Sequence, residues 1–287
     1  MKILFGIILG LIQGLAEFLP ISSSGHLALA ESIMGLGSGG GAELIAAMDG
    51  SAFFNIMLHL ATLVAVIIAY WSDVKAMVLE LFSMIGGVGR GEGLASRNIP
   101  VRRLILMIIL STVPLFVIVP FRHAIESLSG IPWFIGAALI VTGLLLFIAD
   151  HMPRGRKTER DMTVVDALVI GAAQALATIP GLSRSGTTIT AGMGRGLNRE
   201  FAVRFSFLMS LLSVTGAVIL SLVDVIKDGV DAGLLPACIV GMIVAGVTGY
   251  LSIKLLQRIV AKGRFGGFAY YCWGVGVLSI VLSLVIK

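Results

Sequence analysis

The stretch "GLIQGLAEFLPISSSGH" (10–26) decides how this chain folds. It opens as apolar helix, then sets Glu17, Pro20, Ser22, Ser23, Ser24, Gly25 and His26 within ten residues. Proline blocks the preceding helical turn and serine favours a helix cap, so the stretch predicts a helix interrupted midway, with a new helix N-terminus after "SSSG". The surroundings give that break its meaning. The 287 residues are 57% hydrophobic and 13% charged, with a mean hydropathy of +1.02. Soluble domains carry about 25% charged residues, so the composition predicts an integral membrane protein. A helix broken at membrane depth must satisfy its freed backbone groups inside the protein or in a wet cavity.

Six segments, near 54–71, 104–120, 133–149, 205–223, 236–256 and 268–286, are long and apolar enough to cross a core of about 30 Å. Two more, 3–34 and 165–193, are interrupted midway by Pro, Ser and Gly and read as re-entrant hairpins. Charge fixes their sense. If the six spans alternate and 165–193 is re-entrant, the loops at 72–103, 150–163, 194–204 and 254–267 fall on one side with 16 of the 21 basic residues. Lys2, Arg122, Lys227 and Lys287 fall on the other, and Arg184 sits at the second hairpin tip. The positive-inside rule makes the basic side cytoplasmic. Net charge +5 therefore marks cytoplasmic loops and predicts no nucleic-acid partner.

The first hairpin then enters from outside and the second from the cytoplasm, the geometry of an inverted repeat. Sliding 10–26 by 161 positions places it on "GAAQALATIPGLSRSGT" (171–187), with 7 of 17 residues identical. Gln13 meets Gln174, Ser22 meets Ser183, Ser24 meets Ser185 and Gly25 meets Gly186. Further on, "SDV" (72–74) meets "VDV" (223–225) at an offset of 151, and the Gly-rich insertion "GLGSGGGAEL" (35–44) accounts for the difference. The expected fold is an all-α polytopic membrane protein: six transmembrane helices plus two re-entrant helical hairpins in an inverted-topology repeat. Its halves are 1–150, with hairpin 3–34 and the first three spans, and 163–287, with hairpin 165–193 and the last three.

The repeats share a scaffold and differ in chemistry. Where the first has Glu17, Ser23 and His26, the second has Thr178, Arg184 and Thr187. Each residue also has a plain structural reading. Ser22 and Ser24 fit helix caps, Gly25 and Gly186 fit tight turns, and His26 fits a satisfied polar residue near an interface. Arg184 fits a counter-ion for Glu17, an intramembrane carboxylate that is costly unless paired. Pooled, the set supports phosphoryl transfer. An arginine fork and helix N-termini suit phosphate oxygens. Serine beside Glu or His is a nucleophile–base pair, His can protonate a leaving phosphate, and a carboxylate near phosphates can hold Mg²⁺ or Ca²⁺.

Other features read as plain structure. "GGVGRGEG" (86–93) lacks a Walker lysine–serine pair and reads as a linker. Asn55 and His59 share a face of the first span and fit core polar contacts, and His123 and His151 show no ligand spacing. Cys238 and Cys272 lie in apolar runs and read as packing residues. A secretory signal would take Lys2 as its charged start and "ILFGIILGLI" as its apolar core, but no small-x-small cleavage site follows cleanly.

"QGLAEFLPISSSGH" resembles the (E/Q)-x-x-x-E stretch and Ser-rich turn of the bacterial undecaprenyl-diphosphate phosphatases, also called the bacitracin-resistance family. "PGLSRSGTTI" (180–189) is similar to that family's P-G-x-S-R-S-G signature. The resemblance runs over essentially the whole chain. It implies removal of the terminal phosphate from a C55 isoprenyl diphosphate lipid, which regenerates the carrier for cell-wall synthesis. It implies a bacterial inner-membrane protein. The charge count places the first hairpin on the outer side and predicts a site open to the periplasmic or outer face. The resemblance also implies a divalent-metal requirement, with Glu17 as metal ligand, and no organic cofactor. By motif, Gln13 and Glu17 take the (E/Q)-x-x-x-E positions, Ser23 the nucleophile position and His26 the motif histidine. Ser183 and Arg184 take the diphosphate-binding turn, flanked by Gln174, Ser185, Gly186 and Thr188, and Ser22, Ser24 and Gly25 complete the substrate-binding set. Attack by Ser23, by His26 or directly by water all remain open at this point. The rival class is a transporter or flippase of the carrier lipid. The sequence is silent on oligomeric state and allows a homodimer.

Overall fold

The two breaks that the repeated motifs mark fall where the sequence places proline, serine and glycine. The computed structural model describes residues 2–35, 52–89, 99–228, 232–263 and 265–285. Among them all regular elements are helical, apart from one isolated bridge between Lys157 and Leu197. Most of the Gly-rich insertion (36–44), part of the 86–93 linker, and Arg90, Arg97, Arg264 and Lys287 lie outside the described residues.

Helix α1 (Lys2–Phe18) ends two residues before Pro20, and α2 (Ser23–Gly35) starts after the serine turn. Next come α3 (Ala52–Ala69), α4 (Trp71–Gly89) and α5 (Ile99–Thr112). Pro114 and Pro120 then divide the chain into short turns, including α6 (Leu115–Ile118) and α7 (Arg122–Glu126), before α8 (Pro132–His151) begins with proline in its first turn. A second broken pair follows, α9 (Val164–Leu176) and α10 (Arg184–Gly194), and then three long helices, α11 (Arg199–Asp228), α12 (Leu235–Ala261) and α13 (Gly266–Val285).

Among the described residues, five helical stretches are long and apolar enough to cross a membrane: 99–130, 132–151, 199–223, 232–261 and 266–285. The pair α3–α4 makes a sixth if it is one span. The chain is a multi-pass helical membrane protein.

The region after the first span differs from expectation. Where the sequence reading has a basic loop from residue 72, the chain bends by 91° and continues as α4. Trp71, Val78, Phe82 and Ile85 recur at helical spacing and face outward, while Glu80 is buried and Asp73 pairs inward with Arg204 at 3.0 Å. Lys75 shares this outward face. An apolar stripe with one lysine suits a helix at the lipid interface, where the lysine stem can snorkel to water, not a solvated loop.

The largest core cluster joins both halves, with Phe18, Leu104, Ile108, Ile170, Phe205, Phe207 and Ile253 in contact around the two breaks. Phe207 meets Phe18 edge-on at 5.5 Å and Tyr70 at 6.1 Å. Small residues let the backbones come this close. A Cβ on Gly10 would collide with the Gly241 carbonyl oxygen, and one on Gly171, its repeat partner, with the Ser111 carbonyl oxygen. Gly10→Leu and Gly171→Leu should each destabilise the protein by about 2–3 kcal/mol through overpacking, visible as lower thermal midpoints in detergent.

Asp166 closes a capping box with Thr163 at the start of α9. Its fully buried carboxylate accepts from Lys157 at 3.0 Å and Arg195 at 2.7 Å. Burial opposes its charge, but the Thr163 backbone N–H, Lys157 and Arg195 outweigh burial and hold the carboxyl well below the usual carboxylate range. A depressed folded-state pKa contributes stability that is fully present above the unfolded carboxylate value, about 4. That stability fades as pH falls below it. Asp166→Asn should therefore lower the thermal midpoint at pH 7, and its difference from wild type should shrink as pH drops below about 4.

Candidate active site

The two chain breaks are built alike and touch each other. At the first, Ser22 adopts a left-handed conformation (φ 73°) that non-glycine residues rarely hold. Its hydroxyl accepts from the Gly25 N–H at 3.2 Å and lies 3.4 Å from the Ser24 hydroxyl. At the second, the Ser183 hydroxyl accepts from the Gly186 N–H at 3.1 Å and lies 3.3 Å from the Ser185 hydroxyl. The capping reading of Ser22 thus describes its hydrogen bond, and the repeat-related Ser183 does the same. A Cβ on Gly25 would sit 3.1 Å from Gly181 Cα, and one on Gly186 would sit 3.4 Å from Pro20 Cβ. Pro20 and Gly181 are themselves related by the 161-residue offset, so the two turns contact reciprocally.

Glu17 is the hub of this junction. It ends α1 with 8% of its surface exposed. Its Oε2 accepts from the Ser23 hydroxyl at 2.7 Å and from Gln13 Nε2 at 3.2 Å. Its Oε1 accepts from Arg184 Nη2 across the junction, forming an ion pair. Arg184 Nη1 is buried and has no hydrogen-bond partner among the described residues. An unpaired guanidinium N–H pointing into protein is costly, and a phosphate oxygen would satisfy it. The structure therefore brings Gln13, Glu17, Ser23 and Arg184 together.

His26 lies in a second group. Its Nδ1 is 2.8 Å from the Ser22 carbonyl oxygen, which can only accept, so Nδ1 carries the proton. Its Nε2 is 2.8 Å from the Tyr271 hydroxyl, and the two rings stack with centroids 5.6 Å apart. Ser23 therefore has Glu17 as its observed hydrogen-bond acceptor, while both nitrogens of His26 are engaged elsewhere.

Among the remaining candidates, the Thr188 hydroxyl is 2.6 Å from the Ser206 hydroxyl and donates to the Arg184 carbonyl at 2.8 Å, which stiffens the start of α10. Ser183 N–H donates to Thr142 at 3.0 Å. Gln174 is buried, and neither its amide nitrogen nor its oxygen has a partner among the described residues. His59 on α3 is the residue that sequence reading left in the core. Its Nδ1 lies 3.3 Å from Gln13 Nε2, which attaches it to the Glu17 cluster. The signal was the Asn55–His59 pair on one helix face, and its partner lay 46 positions away.

No three His, Cys, Asp or Glu side chains among the described residues are grouped to hold a metal ion. At this junction the chain offers a cation one carboxylate, Glu17, since Gln13 turns its NH₂ edge toward it. That ligand fits a hard ion that draws its other ligands from phosphate and water, as Mg²⁺ commonly does.

The sequence profile described as "Bacitracin resistance protein BacA" matches residues 6–278. The chain belongs to that family. Relatives are similar end to end. A Methanosphaera stadtmanae protein named undecaprenyl-diphosphatase is 37% identical and covers 100% of both chains. An Alkaliphilus metalliredigens protein of the same name is 36% identical, covering 97% of this chain and 98% of its own. One from Carboxydothermus hydrogenoformans is 37% identical over 96% of each. Membership in the BacA family agrees with the resemblance that the two Ser-Gly motifs carry.

Proposed function

We propose that the chain is an undecaprenyl-diphosphate phosphatase, a membrane enzyme that hydrolyses the C55 isoprenyl diphosphate carrier to the monophosphate and inorganic phosphate. Full-length similarity to proteins of that name supports the activity. One structural observation carries the site: Glu17, bonded to Ser23 from its own break, pairs with Arg184 from the other, whose second nitrogen is left for a phosphate.

In the reaction, the Ser23 hydroxyl attacks the terminal phosphorus and Glu17 takes its proton. The Oγ–P bond forms as the bridging P–O bond breaks, and the lipid monophosphate leaves with the bridging oxygen. Glu17 passes the Ser23 proton to the leaving lipid monophosphate. Water then attacks the phosphoserine phosphorus. Glu17 takes a proton from that water and hands it to Ser23 Oγ as the Oγ–P bond breaks, and inorganic phosphate leaves. Arg184 Nη1 and the first-turn N–H groups of α2 and α10 hold the charge on the transferring group. Glu17 would hold a divalent cation, Mg²⁺ or Ca²⁺, which would offset charge on the diphosphate. Phosphate release should fall on chelation and return when either ion is added.

The broken pairs α1–α2 and α9–α10 are re-entrant hairpins related by inverted topology, a reading supported by the reciprocal contacts at Gly25–Gly181 and Gly186–Pro20. The halves are residues 1–150 and 163–287. The basic loops face the cytoplasm of a bacterial plasma membrane, and the site opens to the periplasmic or outer face. The deciding experiment presents C55 diphosphate to purified protein in detergent. Steady release of inorganic phosphate supports the proposal. No release from folded protein, with Mg²⁺ or Ca²⁺ present, would sink it and leave transport of the carrier lipid to be tested.

A further inference from the structure

We infer that His59 is a positioning residue for Glu17, acting through the side-chain amide of Gln13. The inference rests on the reading of Glu17 as the group that accepts the Ser23 proton. Gln13 Nε2 lies 3.2 Å from Glu17 Oε2 and 3.3 Å from His59 Nδ1. A primary amide has two N–H donors, one for each partner. His59 Nδ1 is then the acceptor, and the ring proton sits on Nε2. This fixes which way the amide points: its NH₂ edge faces the carboxylate and its carbonyl faces away. Turned over, the amide would set its oxygen against Glu17 Oε2, where Ser23 also bonds, and would repel the carboxylate that Ser23 needs. His59 disfavours that orientation, because an unprotonated Nδ1 cannot donate to an oxygen.

The second repeat provides an internal control. Gln174 aligns with Gln13 at the 161-residue offset, and Ser210 aligns with His59 at the 151-residue offset. The Ser210 hydroxyl donates to the Phe207 carbonyl at 2.7 Å, and both polar atoms of Gln174 lack partners among the described residues. The same glutamine is therefore anchored in the half that has a histidine and a carboxylate, and unanchored in the half that has a serine and Thr178. The requirement comes from Glu17, not from packing around the glutamine. With His59 the cluster draws on three helices before Arg184 arrives from a fourth: Gln13 and Glu17 from α1, Ser23 from α2 and His59 from α3.

The test uses the full-length purified protein with C55 diphosphate, in the variants His59→Ala, Gln13→Ala, their double variant and His59→Asn. His59→Ala should lower kcat about tenfold through misplacement of the catalytic groups, with KM within about twofold. The double variant should be no worse than the poorer single one, because both act on one interaction. His59→Asn, whose side-chain oxygen can replace Nδ1 as acceptor, should recover most of the rate. Independent losses that multiply in the double variant, or an Asn variant as poor as Ala, would overturn the inference. Thermal midpoints show whether each variant is folded. A second arm needs no activity. In imidazole ¹⁵N spectra, with the four histidines (His26, His59, His123, His151) assigned by substitution, His59 should be in the Nε2–H form and change on Gln13→Ala. A proton on Nδ1 would overturn the inference even if the enzyme is active. If wild-type protein released no phosphate, the functional proposal would fall, and the spectrum would still judge the His59–Gln13 contact.

Discussion

Arg184→Ala is expected to lower phosphate release from C55 isoprenyl diphosphate at least hundred-fold, the scale of removing a donor aimed at developing charge. Arg184 sits at the first position of α10, where the helix dipole also favours an anion. One of its nitrogens holds Glu17, and another is buried without a partner among the described residues. A phosphate oxygen would therefore complete an arrangement that the free protein leaves half made. The substitution also strands the Glu17 carboxylate, so some loss of stability accompanies the loss of rate. Arg184→Lys separates the two effects. It keeps the charge near Glu17 but not the planar fork, and should keep stability near wild type while kcat stays roughly tenfold or more below it. An Arg184→Lys enzyme of wild-type rate would show that charge alone suffices and that no fork binds the phosphate. Steady-state kinetics and thermal midpoints on the same preparations check both claims.

Ser23→Ala is expected to cost about a thousand-fold in kcat, as removal of a covalent nucleophile does. The Ser23 hydroxyl is 2.7 Å from Glu17 Oε2, so nucleophile and base are already in hydrogen-bond contact. His26→Ala should cost far less, about tenfold, because its nitrogens are engaged by the Ser22 carbonyl and Tyr271. If water attacked the phosphorus directly, Ser23→Ala would keep activity within about tenfold of wild type. If His26 were the nucleophile, the order of the two variants would reverse. Acid-quenched turnover with labelled terminal phosphate offers a direct check, since only wild type and His26→Ala should retain acid-stable phosphoserine.

Much of this was legible in the residues. The breaks at Pro20 and at Pro180–Gly181 follow from local chemistry, and the helices stop and restart within a few residues of the expected places. The pairing of Glu17 with Arg184 followed from the repeat and from the cost of an intramembrane charge, which only a few residues could offset. Three features were not legible, each for a physical reason. Helix α4 lies in a region dense in charges, and its apolar stripe at Trp71, Val78, Phe82 and Ile85 carries no sign of which side meets lipid until Asp73 is seen to turn inward to Arg204. His26 fits a hairpin-tip catalyst by sequence, but its partner Tyr271 is 245 positions away, beyond any local pattern. His59 fits a core polar residue equally well, because one histidine on an apolar helix does not reveal which side chain from another helix it meets.

Attack at the terminal phosphorus is the step on which the proposed function rests. Hydrolysis of C55 isoprenyl diphosphate by the purified protein in ¹⁸O-labelled water, followed by mass spectrometry of both products, tests this most directly. The predicted result is one labelled oxygen in the released inorganic phosphate and none in the lipid monophosphate. Label in the lipid monophosphate, or carrier lipid recovered as unhydrolysed diphosphate, would contradict it.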